Sequence, residues 1–596
     1  MARPRCPRRI FVSTLESAPR AAHAPHFSDE ADVDRFVEML DRFERGDIAE
    51  PEWRAFRLVN GTYGQRQGGS LSMLRAKLPQ GRVEASQIEV IADVADHYSR
   101  GFCHLTTRQN VQFHFIELSK MEETMRTLAR AGITTKEACG NSVRNVTAPA
   151  TTGVAQDEAF DTEPYAEALT RYFLRHPLSG TLPRKFKVAF AGGGEDHSFA
   201  VVNDIGWHAR LREGEGGKVE RGFVVTVAGG TATLCTTGYR LFEFLPAGDI
   251  LGVALALLRV FDREGDRQHR HKARMKYVVK RIGWEAFRQA VLDELEKVRA
   301  EGLPPLPFDP ESPPDRGEVV LPPGAPSRSL PLAGDEARWF RTNTKPQKQA
   351  GYRVVTVTVP LGDVTSTQLR ALAQLCRTHS TGTLHATTAQ NFMFRYVPED
   401  RVSSLYAALR SIDLARPDAD TVADVSSCPG ADSCKLAVTQ SRGLARELDT
   451  HFQARLDYVD RAPGLSVRIS GCPNGCSLHH VAGIGFQGGV RKVGGRAVPQ
   501  YFVMAGGGVE GERAHFGRVI AKIPARRITQ AVERLVQIYE KERAGEERIV
   551  EFLRRADPKK LKAQLADLET LDEADARPED FIDLGDTEAF VPIDEA

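Results

Sequence analysis

The stretch from Leu78 to Phe113 recurs 281 positions later, and this repeat constrains the 596-residue chain more than any other feature. Pro79, Val83, Gln87, His104, Thr106, Thr107, Gln109, Asn110 and Phe113 return as Pro360, Val364, Gln368, His385, Thr387, Thr388, Gln390, Asn391 and Phe394. A constant offset means one folding unit used twice, with nothing inserted between its elements. Each copy is predicted to run strand, helix, two short strands around the Thr-Thr turn, then a second helix. Leu74, Ala76 and Leu78 alternate along the first strand, and Ser86 with Glu89 has the spacing of a capping box for the first helix. The expected fold class is α+β, built on a duplicated unit.

Each copy leads into a longer segment, and these two resemble each other more loosely. Both hold a strand entering a glycine-rich turn (186–194 and 467–475), an Ile-Gly pair (Ile205-Gly206 and Ile484-Gly485) and an apolar strand ending in glycines. The division expected is an extension over 1–55, a half-domain over 56–139 and a larger domain over 140–302. A proline-rich linker over 303–335, a second half-domain over 336–422, a second larger domain over 423–545 and an acidic tail over 546–596 complete it. The tail reads either as a clasp over the other domain or as disordered.

Lys+Arg (80) and Asp+Glu (79) nearly cancel, which excludes a nucleic-acid-binding protein on global charge. No apolar run is long enough for a membrane span. Nine scattered cysteines argue against a disulfide framework and for a reducing, cytoplasmic setting. Arg3, Arg5, Arg8, Arg9 and Arg20 against Glu16 read as a disordered basic arm, with an organelle transit peptide as the other reading.

Cys428 and Cys434 form C-x5-C, and Cys472 and Cys476 form C-x3-C, in loops rich in Gly and Pro. Four thiolates from two tight turns, with backbone N–H groups facing the sulfurs, suit a [4Fe–4S] cluster. Structural zinc also takes four thiolates, though C-x5-C is wide for its knuckles. Cys103, Cys235 and Cys376 are explained as small core residues.

A second set of residues is basic: Arg75, Arg108, Arg144, Lys185 and Lys187. In strand periodicity Lys185 and Lys187 share one face, where like charges need anions to neutralise them, so a polycarboxylate ligand or an anionic substrate is implied. Each taken singly also reads as a solvated surface charge. Arg108 follows the Thr-Thr turn where the repeat has Ala389, so only one copy keeps that cation. His114 can reach the same pocket or be a satisfied core histidine.

Together the two sets resemble the sirohaem-containing sulfite and nitrite reductase family, from about Asn60 to Arg543. The resemblance implies two ferredoxin-like half-domains and two mixed α/β sirohaem/Fe–S domains related by a pseudo-twofold axis. It implies that Cys428, Cys434, Cys472 and Cys476 hold the [4Fe–4S] cluster, with Cys476 also bridging to the sirohaem iron. By the same resemblance Arg75, Arg144, Lys185 and Lys187 are the cations around the bound oxyanion, and Arg108, Gln112 and His114 contact the macrocycle.

Lys187 is a lysine where members similar to plant nitrite reductases carry Asn, which leans the expectation to sulfite, with nitrite or dual activity as the alternative. Cys139 and Tyr63 match a haem-adjacent Cys and Tyr in some sulfite reductases, and a contact or thioether between them is a hypothesis that intact mass tests. No G-x-G-x-x-G in a strand-turn-helix context supplies a flavin or nicotinamide module, so electrons are expected from ferredoxin or a separate flavoprotein. A zinc-stabilised anion-binding protein is the non-redox alternative.

Overall fold

The computed structural model describes residues 26–313 and 332–592. The basic first twenty residues and most of the proline-rich segment lie outside them.

The duplicated segments form two five-stranded antiparallel sheets that complete each other. Thr62–Gly64, Leu71–Ala76, Val111–Glu117 and Phe102–Leu105 lie in that order, and the fifth strand, Asp363–Thr365, comes from the second copy. The second sheet runs Thr344–Pro346, Tyr352–Val357, Phe392–Pro398 and Thr383–Ala386, and its fifth strand, Arg82–Glu84, comes from the first copy. Val364 pairs with Cys103, and Val83 with Leu384, so the exchange keeps the repeat offset in its register. Helices Ala85–Tyr98 and Ser366–His379 pack together, and one apolar core runs through both halves.

The repeated polar residues are couplers. Gln109 Nε2 donates to Ala386 O at 2.9 Å, and Gln390 Nε2 to Leu105 O at 2.9 Å, each closing the other half's turn. Gln87 and Gln368 are the N3 residues of capping boxes whose N-caps are Glu84 and Thr365. The helix start expected from Ser86 and Glu89 is therefore corrected. Chain direction at the exchanged strand puts the cap two residues earlier, and Glu89 instead pairs with Arg377 of the opposite helix.

The longer segments form the other two sheets. The first has Val188–Ala191 parallel to Ile205–Glu213, followed by antiparallel Val219–Val227 and Tyr239–Pro246. The second has Ser426–Ser427 and Val467–Ser470 parallel to Ile484–Val493, followed by antiparallel Arg496–Ala505 and Arg518–Pro524. Val188 faces Ile205 as Val467 faces Ile484, so this repeat too is preserved in register. Helices such as Ile250–Glu264 and Ile528–Glu542 bury each sheet against its own core.

Three segments differ from expectation at their edges. Helix Glu50–Val59 crosses the 55/56 division and carries Trp53 into the half-domain core. Helix Gly334–Asn343 starts inside the expected linker, while Leu303, Leu306 and Phe308 pack on the first larger domain. The acidic tail, described to residue 592, folds on its own domain: Leu561, Leu565, Leu568 and Leu584 join that core. Apolar residues at helical spacing in the tail supply the buried face that overrides its net charge.

Candidate active site

The ends of two adjacent parallel strands build the thiol site. Ser426–Ser427 delivers Cys428, and Val467–Ser470 delivers Gly471 and Cys472; neighbouring parallel strands release their loops on the same edge. Cys428 N–H donates to Ile469 O at 3.1 Å, which ties the loops at their roots. Gly430 has φ +60 and lies so close to Ser441 that a Cβ there would stand 2.3 Å from the Ser441 hydroxyl. Each of three sulfurs receives an N–H: Gly471 N to Cys428 Sγ, Leu436 N to Cys434 Sγ and Asn474 Nδ2 to Cys472 Sγ, all at 3.4 Å. Burial, then the neighbouring Cys476 and Cys472 thiols, push Cys428 up to about 12, and burial with Cys476 pushes Cys472 up to about 11. A cationic metal centre is what such a set of thiols lacks to ionise.

Zinc bonds of about 2.3 Å draw four sulfurs to within roughly 4 Å of one another. Among the described residues no group of three or more His, Cys, Asp or Glu side chains is placed to hold one metal ion.

The basic residues gather beside Cys476. Lys185 and Lys187 precede the strand Val188–Ala191 instead of lying in it, but the Phe186 bridge to Val143 keeps the alternation: Phe186 enters the core and the lysines face the cleft. That same bridge brings Arg144 in, whose N–H donates to Phe186 O at 2.8 Å and whose guanidinium is fixed on Gly140 O at 2.8 and 3.1 Å. Burial lowers Lys185 to about 7, with the Arg274, Arg144 and Arg184 charges adding to the fall and the Cys476 thiol opposing it. Lys187 is lowered well below its ordinary value by burial, then by Lys185 and Arg108.

Arg75 and Gln112 sit opposite each other on paired strands, joined by a 3.1 Å hydrogen bond from Nη2 to Oε1. Burial works against the Arg75 charge, yet Cys139, Tyr63, Cys476 and Cys434 together raise it. Arg108 donates to Asn203 Oδ1 at 2.8 Å and to the carbonyls of Asn145 and Val188 at 2.5 and 3.1 Å. Burial still lowers it to about 9. His114 is buried, and burial followed by the charges of His104, Arg442 and Arg75 keeps it neutral. Arg75 Nε, Arg108 Nε and both His114 ring nitrogens are buried without a hydrogen-bond partner. Buried donors left open on a cationic wall suit a ligand bearing several carboxylates. The Cys139 thiol donates to Gly61 O at 3.8 Å, two residues from Tyr63.

Several contributors carry no mark in the motifs. Arg274 pairs with the fully buried Asp204 at 2.8 Å and acts on both Lys185 and Lys187, and its neighbour Lys276 donates to Thr231 O at 2.5 Å. The basic run His269 to Lys276 is the one sequence signal that could have flagged them. Thr107 Oγ1 donates to Cys476 O at 2.7 Å.

Models of two domain families match this chain. The nitrite and sulphite reductase 4Fe–4S domain covers residues 139–299 and 418–571, and the nitrite/sulfite reductase ferredoxin-like half domain covers 63–131 and 345–412. The chain belongs to the nitrite and sulphite reductase family. Among its relatives, "Sulfite reductase [ferredoxin] 1" of Mycolicibacterium paratuberculosis is 27% identical over 82% of this chain and 83% of its own length. A "Ferredoxin--nitrite reductase" of Synechococcus elongatus is 28% identical over 75% of this chain and 81% of its own. The solved structure of Mycobacterium tuberculosis NirA protein superposes with a TM-score of 0.73 at 26% identity, covering 89% of this chain and 97% of that one. The family makes this chain an oxidoreductase and agrees with the duplicated half-domains and with sirohaem and a [4Fe–4S] cluster as cofactors. No helix among the described residues is long and apolar enough to cross a membrane.

Proposed function

We propose that the chain reduces sulfite to sulfide by six electrons at a sirohaem, coupled through Cys476 to a [4Fe–4S] cluster on Cys428, Cys434, Cys472 and Cys476. Electrons come from ferredoxin or a separate flavoprotein. The observation that carries the reading is the junction of the two sets of residues: Thr107 binds Cys476 O at 2.7 Å, and the next residue, Arg108, reaches Val188 O beside Lys187 at 3.1 Å, so the last thiol loop borders the basic cleft.

When bound, the sirohaem and the cluster supply the electrons. The side chains bind, orient and protonate. Arg144, pinned on Gly140 O, and Arg75, braced by Gln112, present fixed guanidinium groups to the oxyanion's oxygens. Lys185, lowered to about 7, can hold a proton and release it near neutral pH as an oxygen leaves as water. Arg108, Gln112 and His114 line the wall for the macrocycle's carboxylates, with Arg108 Nε and the one protonated ring nitrogen of the neutral His114 as open donors. Tyr63 and Cys139, which both act on Arg75, form the haem-adjacent pair; an intact mass without the loss of two hydrogens removes a covalent link between them.

Lys187, which an anion in the cleft holds protonated against the burial that lowers it, favours sulfite, since each added cation attracts a dianion about twice as strongly as a monoanion. Relatives named for nitrite match at nearly the same identity as those named for sulfite, so nitrite is the second reading. Reduction of both anions by the cofactor-loaded protein with reduced methyl viologen tests the proposal, after the visible spectrum is recorded. Sirohaem bands with kcat/KM favouring sulfite support it. A nitrite preference replaces the substrate, and a colourless protein overturns the cofactor reading.

A further inference from the structure

The chain continues beyond the family match, which ends at residue 571, and its last turn lies on the loop between the two cysteine pairs. Past Pro578–Phe581, the fully buried carboxylate of Asp583 accepts the backbone N–H of Gln440 at 2.7 Å and that of Leu584 at 2.8 Å. Asp586 accepts the Gln440 side-chain amide at 2.9 Å. Gly443 lies so tightly under this segment that a Cβ there would stand 1.7 Å from Leu584 O. Arg526 anchors the other side by donating to Glu579 O at 2.6 Å. The segment is thus fastened on both flanks of Asp583.

Gln440 is the N-cap of helix Ser441–Gln453, and it carries no side-chain capping bond of its own. The next hydroxyl, that of Ser441, stands 2.9 Å from Cys428 O and 3.3 Å from Cys428 Sγ. One hydroxyl proton cannot satisfy both acceptors fully, and a ligating thiolate is the stronger acceptor. Two hydrogen-bonded links therefore separate the Asp583 carboxylate from a sulfur of the thiol site.

We propose that Asp583 is a positioning residue for the cluster, holding Gln440 and Ser441 so that the Ser441 hydroxyl bonds the Cys428 sulfur and raises the cluster's reduction potential. The inference rests on the cluster ligation proposed above. Hydrogen bonds to ligand sulfurs stabilise the reduced, more negative cluster, which is the physical basis of the effect.

The test is an EPR-monitored redox titration of the holoenzyme without oxyanion. Ser441→Ala is expected to lower the potential. Asp583→Asn removes the charge but keeps an acceptor for Gln440, and Asp583→Ala removes both; Asp583→Ala is expected to lie below Asp583→Asn by about the Ser441→Ala shift. In the Ser441→Ala background the two Asp583 variants should titrate alike, because the coupling acts through that hydroxyl. If Asp583→Ala fails to assemble, Asp586→Ala against Asp586→Asn gives the same comparison in milder form. Equal potentials for the Ala and Asn variants with Ser441 present, or no shift in Ser441→Ala, overturn the proposal. A wild-type protein with no cluster signal overturns the ligation itself.

Discussion

Thr107 donates its hydroxyl to the backbone carbonyl of Cys476 at 2.7 Å, so the first half-domain holds the last thiol loop of the chain in place. Its repeat partner, Thr388, makes the same bond to His197 O at 2.6 Å, where no thiol follows. Thr107→Ala is expected to cost about 1 kcal/mol of stability and to lower sirohaem occupancy, read from the visible spectrum. Thr107→Ser should restore both, and Thr388→Ala should leave occupancy unchanged.

Cys428→Ser and Cys472→Ser are each expected to reduce iron and acid-labile sulfide to a small fraction of wild type. The chain should still fold, because the strands that launch both loops belong to the domain's own core. Iron analysis with far-UV circular dichroism checks both halves of this expectation.

Lys187→Asn tests substrate choice. Loss of one cation from a buried cleft should lower kcat/KM for sulfite by roughly 10- to 100-fold, while nitrite, with less charge to stabilise, falls less. Equal losses for the two anions would show that Lys187 does not discriminate.

Lys185 links stability to pH in the cofactor-free chain. Unfolded, it holds its proton up to an ordinary value of 10.5; folded, burial releases it at about 7. Between those values the unfolded state binds more protons, so Lys185 makes stability rise with pH, and below about 7 its burial cost is present in full. Lys185→Met should flatten that part of the urea-denaturation profile and stabilise the chain below pH 7.

Asp363, delivered on the exchanged strand, pairs with the buried Arg442 and lies 2.9 Å from His104 Nδ1. Asp363→Ala leaves that guanidinium unpaired and should cost about 3 kcal/mol, the low end for a broken buried pair because the carboxylate is partly exposed. Chemical denaturation should recover much of this in Asp363→Ala with Arg442→Met.

Much of this architecture was legible in the repeat, because its identities are the residues with no substitute. Gln109 and Gln390 bridge the halves, Gln87 and Gln368 cap helices, and Thr107 and Thr388 reach the opposite domains. The exchange of strands was not legible. A constant offset is the same whether Val83 pairs within its copy or across to Leu384, since both copies carry the same pattern. The thiol spacing stood out in the sequence, whereas Arg274 acts on Lys185 and Lys187 from a helix start that no motif marks. Acidic composition left the tail reading either as a clasp over the other domain or as disordered, but burial follows where the leucines fall, and Leu561, Leu565 and Leu568 fall on one face.

Because Arg82–Glu84 and Asp363–Thr365 each finish a sheet begun hundreds of residues away, neither half can reach its native state first. Contacts of such sequence separation carry a large loop-closure cost before they repay it, so this chain has the high contact order of a slow folder. Cut between its copies, it would behave as an obligate heterodimer, with two fragments that are each an unfinished sheet alone and a folded molecule only when mixed.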